Sequence, residues 1–396
     1  MLGNNHHLAV RKALGAVALS FLLISCATNP VTGVSELSLV DKSWEIKTGA
    51  ENYPKLRQMS GGDYLADPSV QAYVERIGQT LARASDRDLP YEFVVVNDAT
   101  PNAWALPGGK IGVHRGLLLT LESEAELAAV LAHEIVHAAA RHSAKDYQRS
   151  ALLQGSIALL GNAVAEDVRE DTQKWASYGA KMVTSRYSRE AERESDAFGM
   201  TYMQRAGYDP QGAVALQQTF VNLSAANDAR FATSLFASHP PSQERLQANR
   251  AQAQRLPKGG QMGIEAYARA MAQLREAQPA YDSYDQAGQA AAERDYSAAK
   301  ALIENAIRIE PRESLFYGRL GDIQALQAQP EAALESYQQA CKLNPTHYYP
   351  YLRLGLTYKR LGVVSKADDA LRKSFALLPT QEAQDALAPL SPWYKH

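Results

Sequence analysis

Three residues within five positions have the types and spacing needed to bind a metal ion and to use it on a carbonyl group. His133 and His137 are four residues apart, so on a helix they lie on one face and can share one ion. Glu134 follows His133 directly, and its carboxylate can act as a general base on water beside that ion. This His-Glu-x-x-His pattern is typical of zinc peptidases, although a surface helix can carry the same letters by chance.

The surrounding residues favour a buried helix over a surface one. Ser123 and Glu126 have the spacing of a capping box, which predicts a helix that begins near Ser123 and continues through His142. Apolar residues flank the histidines on this helix: Leu127, Val130, Leu131, Ile135 and Val136. Because buried His and Glu side chains need partners, a core position favours a metal site over a chance match.

A second acidic cluster downstream offers a third metal ligand. Residues 190–199 carry several carboxylates just before apolar positions, in a pattern that predicts another helix. A catalytic zinc ion takes three protein ligands and keeps one position open. Spacing alone leaves Glu190, Glu192 and Glu194 as rivals for the third position.

The composition is that of a globular chain and excludes some classes of protein. Of the 396 residues, 46% are hydrophobic and 21% are charged, which is enough apolar material for two or three folded domains. The 41 basic and 43 acidic residues nearly cancel, to a formal net charge of −2. This balance gives no support for nucleic acid as a partner.

The N-terminus has the features of a signal peptide. Two basic residues precede the apolar stretch 13–24, which is too short to span a bilayer. Cys26 lies directly after it, which resembles the bacterial lipobox, in which the cysteine is lipid-modified. Ala27 follows the cysteine, which resembles the sequence of Gram-negative lipoproteins sorted to the outer membrane. This resemblance implies a periplasmic chain anchored to the outer membrane. We predict a lipoprotein signal peptide over 1–25 and a tether over 26–44, with an ordinary secretory signal as the alternative.

The C-terminal part contains an internal repeat. Pro311, Pro345 and Pro379 are 34 residues apart. Small residues recur in the same register: Ala299, Ala333 and Ala367, then Ala306, Ala340 and Ser374. A 34-residue period with small residues at helix crossings and Pro after the second helix resembles the tetratricopeptide repeat, whose stacks bind peptides or proteins. We predict repeats over 283–390 after a linker over 256–282.

Four separated segments resemble the HtpX and CaaX-prenyl-protease superfamily of gluzincin metallopeptidases. They are an Asn-Ala-x-Ala-x-Pro-Gly-Gly stretch, the His-Glu-x-x-His helix, a Ser-Arg-x-x-Glu-x-x-x-Asp stretch and a His-Pro-Pro stretch, at 102–109, 133–142, 188–196 and 238–246. Ser195 stands where the family usually has Ala. Because the segments are dispersed, their joint presence is more specific than the short motif alone.

The resemblance implies a role for each matching residue. It makes Glu192, four before Asp196, the third zinc ligand, and implies that Asp196 orients a ligand histidine or donates a proton. His239 is implied to be either a fourth ligand that holds the enzyme shut or, with Arg245 nearby, a stabiliser of the oxyanion. Asn102 begins a strand predicted to offer its edge to an extended substrate.

We therefore predict a mainly α chain. An α+β zincin-type metallopeptidase domain with a small β-sheet is expected over 45–255, followed by the linker and an all-α tetratricopeptide-like solenoid. The expected cofactor is one zinc ion per chain. The arrangement is similar to the β-barrel assembly-enhancing protease family, which implies an endopeptidase that degrades misfolded or stalled outer-membrane or periplasmic proteins. Its repeats would bind substrate or the assembly machinery. The alternative is a chaperone or scaffold with a latent or structural zinc site.

Several other residues receive less specific roles. His142 is predicted to be structural, and His114 and His347 to lie at the surface. The apolar segment 151–164 has too few residues to cross a membrane and is predicted to be a core or cleft-covering helix.

Overall fold

A computed structural model describes residues 25–149 and 187–388 and confirms a mainly α chain with a small sheet. The first part contains, in order, β1 Ser25–Thr28, β2 Ser35–Ser38, α1 Lys42–Met59, α2 Pro68–Ala84, β3 Glu92–Val96, β4 Ala103–Leu106, β5 Lys110–His114, α3 Arg115–Leu118 and α4 Glu124–Ala139. The next contains α5 Arg189–Arg205, α6 Gln211–Ala225, α7 Ala229–Ala232, α8 Leu235–Ser238 and α9 Gln243–Arg255. The last contains α10 Ile264–Ala270, α11 Ala272–Glu276, α12 Gln278–Ala292, α13 Tyr296–Ile309, α14 Ser314–Leu326, α15 Pro330–Leu343, α16 Tyr348–Arg360, α17 Val364–Leu377 and α18 Gln381–Leu387.

Three predictions fall partly or wholly outside the described residues. They concern the signal peptide up to residue 24, the apolar segment 151–164, and the last two residues of the predicted repeats. Among the helices of the described ranges, none combines the length and apolarity needed to cross a bilayer.

The three-stranded sheet is covered by helices on both faces. β5 lies in the middle, parallel to β3 and antiparallel to β4. Because side chains alternate along a strand, Phe93 and Val95 face the core that contains α2 and α4, while Val94 and Val96 face Tyr53 of α1. The strand predicted to offer an edge, β4, lies at the edge of this sheet.

The helix α4 begins as the capping box predicts. The Ser123 hydroxyl accepts the backbone N–H of Glu126 at 3.1 Å, and the Glu126 carboxylate accepts the backbone N–H of Glu122 at 2.6 Å. Almost every residue of α4 is buried, which agrees with its predicted core position. The helix therefore holds its two histidines within a packed interior.

The predicted continuation of this helix through His142 is wrong. α4 ends at Ala139, and Arg141 takes a left-handed conformation with φ 65° before helical structure resumes at 142–149. Out of the helix, the Arg141 guanidinium reaches the Glu45 carboxylate at 2.7 Å and the Ser38 hydroxyl at 2.8 Å. These long-range contacts stabilise a break that no local Gly or Pro signals.

The repeats form three helix pairs. α12 packs on α13, α14 on α15 and α16 on α17, and each second helix ends two residues before one of the three periodic prolines. The aligned residues Ala299, Ala333 and Ala367 are fully buried where the helices cross. The range predicted as a linker contains α10, α11 and the start of α12, and Tyr267 and Leu274 there are fully buried. The proposed boundaries at 255 and 283 remain predictions.

The repeats dock directly on the first part of the chain. The Gln58 amide donates to the carbonyl of Thr346 at 2.7 Å, and the Asn97 amide donates to Glu313 at 2.9 Å. Arg115 lies over the ring of Tyr281, 3.4 Å from its centroid. We call this contact zone the seam. One continuous apolar core extends from α2 through α4 to α14 across it.

Candidate metal centre

Four side chains meet in one place, which we call the metal cluster: His133, His137, Glu192 and His239. One possible ligand atom of each lies within 4.8 Å of the other three. The Nε2 atoms of His133 and His137 are 3.0 Å apart, and Oε1 of Glu192 lies 3.4 Å from Nε2 of His137 and 2.8 Å from Nδ1 of His239. The side chains that the motif and the resemblance singled out as ligands are thus brought together.

Local structure accounts for the position of the first three. His133 and His137 project from one face of α4, as four-residue spacing requires. The Ser188 hydroxyl caps α5, which puts Glu192 in its first turn. Gly199 lets α5 approach α4 closely, because a Cβ there would lie 3.3 Å from the backbone nitrogen of His133.

The structure separates the three rival glutamates. Glu192 is buried and enters the cluster, whereas Glu190 is exposed on the opposite side of α5. Glu194 points elsewhere, with Oε1 3.5 Å from both Nε2 of His142 and Nδ2 of Asn29. Of the three, only Glu192 is placed to share an ion with the histidines.

The donor atoms suit a zinc-like cation. Imidazole nitrogens and a single carboxylate are ligands that zinc takes in proteins. In a buried space, nitrogen lone pairs and a carboxylate that converge on each other need a shared positive charge. Oε2 of Glu134 borders this space, is buried, and has no hydrogen-bond partner among the described residues. These residues therefore fit the metal that the sequence predicts.

Burial and neighbouring charges set the protonation of the cluster. Burial raises the pKa of Glu192, but the charges of His239 and His133 outweigh it and hold that pKa well below its ordinary value. Burial lowers the pKa of His137 well below its ordinary value. Metal binding needs an ionised carboxylate and neutral imidazoles, and Glu192 and His137 favour these forms. Burial lowers the pKa of His133, but Glu192 and Asp196 outweigh it and raise that pKa to about 10, so a bound ion would have to displace a proton from this imidazole. Burial raises the pKa of Glu134, which makes its carboxylate a stronger base.

Asp196 and Arg245 form a buried clamp behind His133. Nδ1 of His133 lies 3.1 Å from Oδ1 of Asp196, and Arg245 donates two hydrogen bonds of 2.7 Å to the two Asp196 oxygens. The same guanidinium lies 2.7 Å from Oε2 of Glu192 and donates to the carbonyl of Pro240 at 3.0 Å. Burial raises the pKa of Asp196, but the Arg245 charge outweighs it and lowers that pKa. This geometry favours orientation of His133 by an ionised Asp196 over the proton-donor role.

Two residues against His137 have roles that the sequence did not reveal. The rings of His137 and Tyr187 stack with centroids 3.8 Å apart, and the Tyr187 hydroxyl lies 3.0 Å from the Ser143 hydroxyl. Nδ1 of His142 lies 2.9 Å from Nδ1 of His137. The turn at Arg141 folds His142 back against the cluster, so its structural role consists of holding a candidate ligand.

The remaining histidines and Asn102 occupy other places. The prediction that His114 and His347 lie at the surface is wrong, because both are buried, His114 at the end of β5 and His347 at the seam. Nδ1 of His114 contacts the carbonyl of Thr100 at 3.0 Å. The Asn102 side chain accepts the backbone N–H of Ala103, and no contact described for residues 25–149 and 187–388 joins it to the metal cluster.

Together, the fold and the cluster define a class: a zincin-type metallopeptidase domain joined to tetratricopeptide-like helical repeats. More particularly, residues 68–253 match peptidase family M48 and residues 321–362 match a TPR repeat, so the chain carries an M48 peptidase domain and a TPR repeat. This confirms the predicted metallopeptidase domain.

Several named proteins are similar to part of this chain. The beta-barrel assembly-enhancing protease of Escherichia coli K12 is 30% identical, over 59% of this chain and 48% of its own length. The mitochondrial metalloendopeptidase OMA1 of Schizosaccharomyces pombe is 34% identical, over 55% of this chain and 63% of its own. The metalloprotease YcaL of Escherichia coli K12 is 27% identical, over 57% and 94%. The chain spans about half the length of the beta-barrel assembly-enhancing protease that it matches.

Solved structures of TPR domains are similar to part of this chain. The Arabidopsis OM64 TPR domain is 16% identical over 29% of this chain and 96% of its own, with a TM-score of 0.28.

Proposed function

We propose that this chain is a zinc-dependent endopeptidase of the bacterial periplasm that degrades misfolded or stalled outer-membrane and periplasmic proteins. The observation that carries the proposal is Glu134, a buried carboxylate beside the metal cluster, one of whose oxygens has no hydrogen-bond partner in the described part of the chain. A site with a purely structural metal has no use for such a base. The name of the Escherichia coli relative, which refers to β-barrel assembly, supports the choice of substrates.

The residues of the chain divide the chemistry between them. His133, His137 and Glu192 would hold the zinc ion, which supplies a Lewis acid for the peptide carbonyl. Glu134 takes a proton from the attacking water and returns it to the leaving amine, a role that its raised pKa supports. Nε2 of His239 lies 3.7 Å from Oε1 of Glu134, so it can donate to the developing oxyanion.

A single comparison of variants tests this proposal. We expect Glu134→Gln to lower the rate of cleavage of an unfolded protein by about 10²–10⁴-fold, because the general base is lost. The bound zinc and the thermal unfolding midpoint should stay unchanged. Glu190→Gln is the matched control, since Glu190 is exposed on α5. Equal cleavage by wild type and Glu134→Gln would refute the proposal.

The proposal includes a lipid anchor at Cys26, where the sequence resembles a lipobox. We expect Cys26→Ser to move the protein from the membrane fraction to the soluble periplasmic fraction after cell fractionation. Cys341→Ser is the control, because Cys341 is a buried thiol of the repeats. Retention of the Cys26→Ser protein in the membrane fraction would rule the anchor out.

One observation favours the second candidate, a chaperone or scaffold with a latent or structural zinc site. His239 lies within the cluster as a possible fourth protein ligand, 3.3 Å from Nε2 of His133, and four protein ligands close a zinc site. We expect His239→Ala to leave protein binding by the repeats intact. Cleavage that begins or rises in this variant indicates latency, and absence of cleavage in both proteins favours the scaffold.

A further inference from the structure

A pocket opens directly beside the metal cluster. His133 and Glu134 form its wall on the side of the cluster. The rest of the lining is largely apolar and comes mainly from α4, α5 and α6: Val130, Met200, Met203, Leu216 and Phe220. A side chain of a peptide held at the cluster would enter this pocket, because the pocket and the base Glu134 share a wall.

Among the polar residues of the lining, two side chains each carry a buried neutral atom that lacks a partner in the described ranges. Ser195 and Gln217 both line the pocket and are buried, with exposures of 0% and 4%. Neither Oγ of Ser195 nor Nε2 of Gln217 has a hydrogen-bond partner within residues 25–149 and 187–388. Buried polar atoms are nearly always paired, so two such atoms in one pocket point to a ligand that pairs with them.

The neighbouring residue shows that Gln217 is specifically oriented. Gln218, next on α6, lies on the outside, where its amide donates to Asn222 and its carbonyl accepts from Arg250. Gln217 faces inward among Leu216 and Phe220, which line the same pocket. Two adjacent glutamines thus have opposite surroundings, one paired at the surface and one with an unpaired donor in the pocket.

We propose that this pocket selects a tyrosine side chain of the substrate, an inference that rests on the proposed peptidase function. The phenol ring matches the apolar wall, including the sulfur atoms of Met200 and Met203, which favour aromatic contacts. The phenol hydroxyl accepts from Nε2 of Gln217 and donates to Oγ of Ser195. Serine and threonine lack the apolar area to fill the pocket, and phenylalanine leaves both polar atoms unpaired.

Peptide binding tests the inference without the need for cleavage. The probes are blocked pentapeptides that contain one variable residue, Tyr, Phe, Leu or Gln, among alanines. They are titrated into zinc-loaded Glu134→Gln protein by calorimetry. We expect the Tyr peptide to bind about tenfold more tightly than the Phe peptide, the effect of a satisfied buried hydrogen bond. A second substitution, Gln217→Leu, should bring the Tyr-to-Phe ratio to about one.

Two further variants separate this effect from loss of folding. Ser195→Ala removes one hydroxyl and should reduce the ratio about threefold, whereas Gln218→Leu should leave it unchanged. Equal binding of Tyr and Phe peptides, no binding of either, or a ratio that survives both Gln217→Leu and Ser195→Ala would overturn the inference. Failure of the proposed function has a different signature, since unfolded protein would then remain uncleaved by wild type while the peptides still bind.

Discussion

The metal cluster and the repeats are held together by opposite means. Around the cluster, charged groups are buried in pairs, as with Asp196 and Arg245. In the repeats, fully buried alanines such as Ala333 allow the helices to approach, and Gly321 lies against the ring of Tyr337. The cluster depends on a complete set of partners, whereas the repeats depend on shape.

This difference predicts which substitutions destabilise each region. A buried ion pair that loses one partner leaves an uncompensated charge, which costs far more than the pair contributes. A helix crossing built on small residues tolerates polar change at its surface but not added volume at the contact. The seam between the two regions combines a buried titratable side chain with a close contact at a small residue. There the buried His347 packs against Gly62.

The largest loss of stability is expected from removing a buried charge beside the metal cluster. Arg245→Leu should lower the free energy of unfolding by about 3–5 kcal/mol, because Asp196 and Glu192 lose their buried counter-charge. Arg193→Leu is the matched control, since it removes an exposed pair with Glu244 on the same two helices and should cost less than about 1 kcal/mol. Denaturant unfolding measures both. Similar losses of unfolding free energy in the two variants would show that the buried clamp contributes no more than an exposed ion pair.

The second prediction concerns the seam. Burial lowers the pKa of His347 to about 4, against a small opposite effect of Asp63. Between about pH 6.5 and pH 4 the unfolded chain therefore binds the proton and the folded chain does not, so stability falls as the pH falls through this window. At about 1.4 kcal/mol per pKa unit, the loss reaches about 3 kcal/mol at its lower end.

His347→Gln should remove this pH dependence. Denaturant unfolding of wild type and variant between pH 7 and pH 4.5 is the measurement, and the variant should show a shallower loss on acidification. His114, whose pKa burial also lowers, acts in the same direction in both proteins and cancels in the difference. Parallel pH profiles would contradict the prediction.

The smallest change in stability is expected from substitutions of glycine in the repeats. A Cβ at Gly321 would lie 2.5 Å from the Tyr337 ring, so Gly321→Ala should cost about 1–3 kcal/mol by overpacking. Gly318 is one turn earlier on α14, and a Cβ there meets no atom within 4 Å. Gly318→Ala should therefore stabilise by up to about 1 kcal/mol, because alanine is the better helix former. Thermal unfolding compares the two, and equal shifts would refute the packing argument.

Local spacing predicted much of this architecture. The prolines 34 residues apart correctly placed the ends of α13, α15 and α17, and the capping box at Ser123 correctly placed the start of α4. Both features act within one or two helical turns, where sequence and structure correspond most directly. The assignment of His133, His137 and Glu192 to one metal remains a prediction that the geometry supports.

Long-range contacts were not predictable in the same way. The helix break at Arg141 depends on Glu45, 96 positions away, and no turn residue marks it. The burial of His347 depends on a seam between regions far apart in the chain. Tyr187, stacked on His137, carried no motif at all. Each depends on tertiary packing, which a single sequence does not encode in local pattern.

The residues of the metal cluster are far apart in the sequence, and this determines when the site forms during folding. His133 and His239 are 106 positions apart, and Asp196 joins His133 across 63. Such contacts form only after long loops have closed, which is slow compared with helix formation. A nascent chain that has made the His-Glu-x-x-His helix thus holds two of the proposed ligands and no working site. Under the proposed function, the peptidase becomes active only when its own tertiary structure is complete. Partly folded copies of the chain therefore cannot cleave themselves.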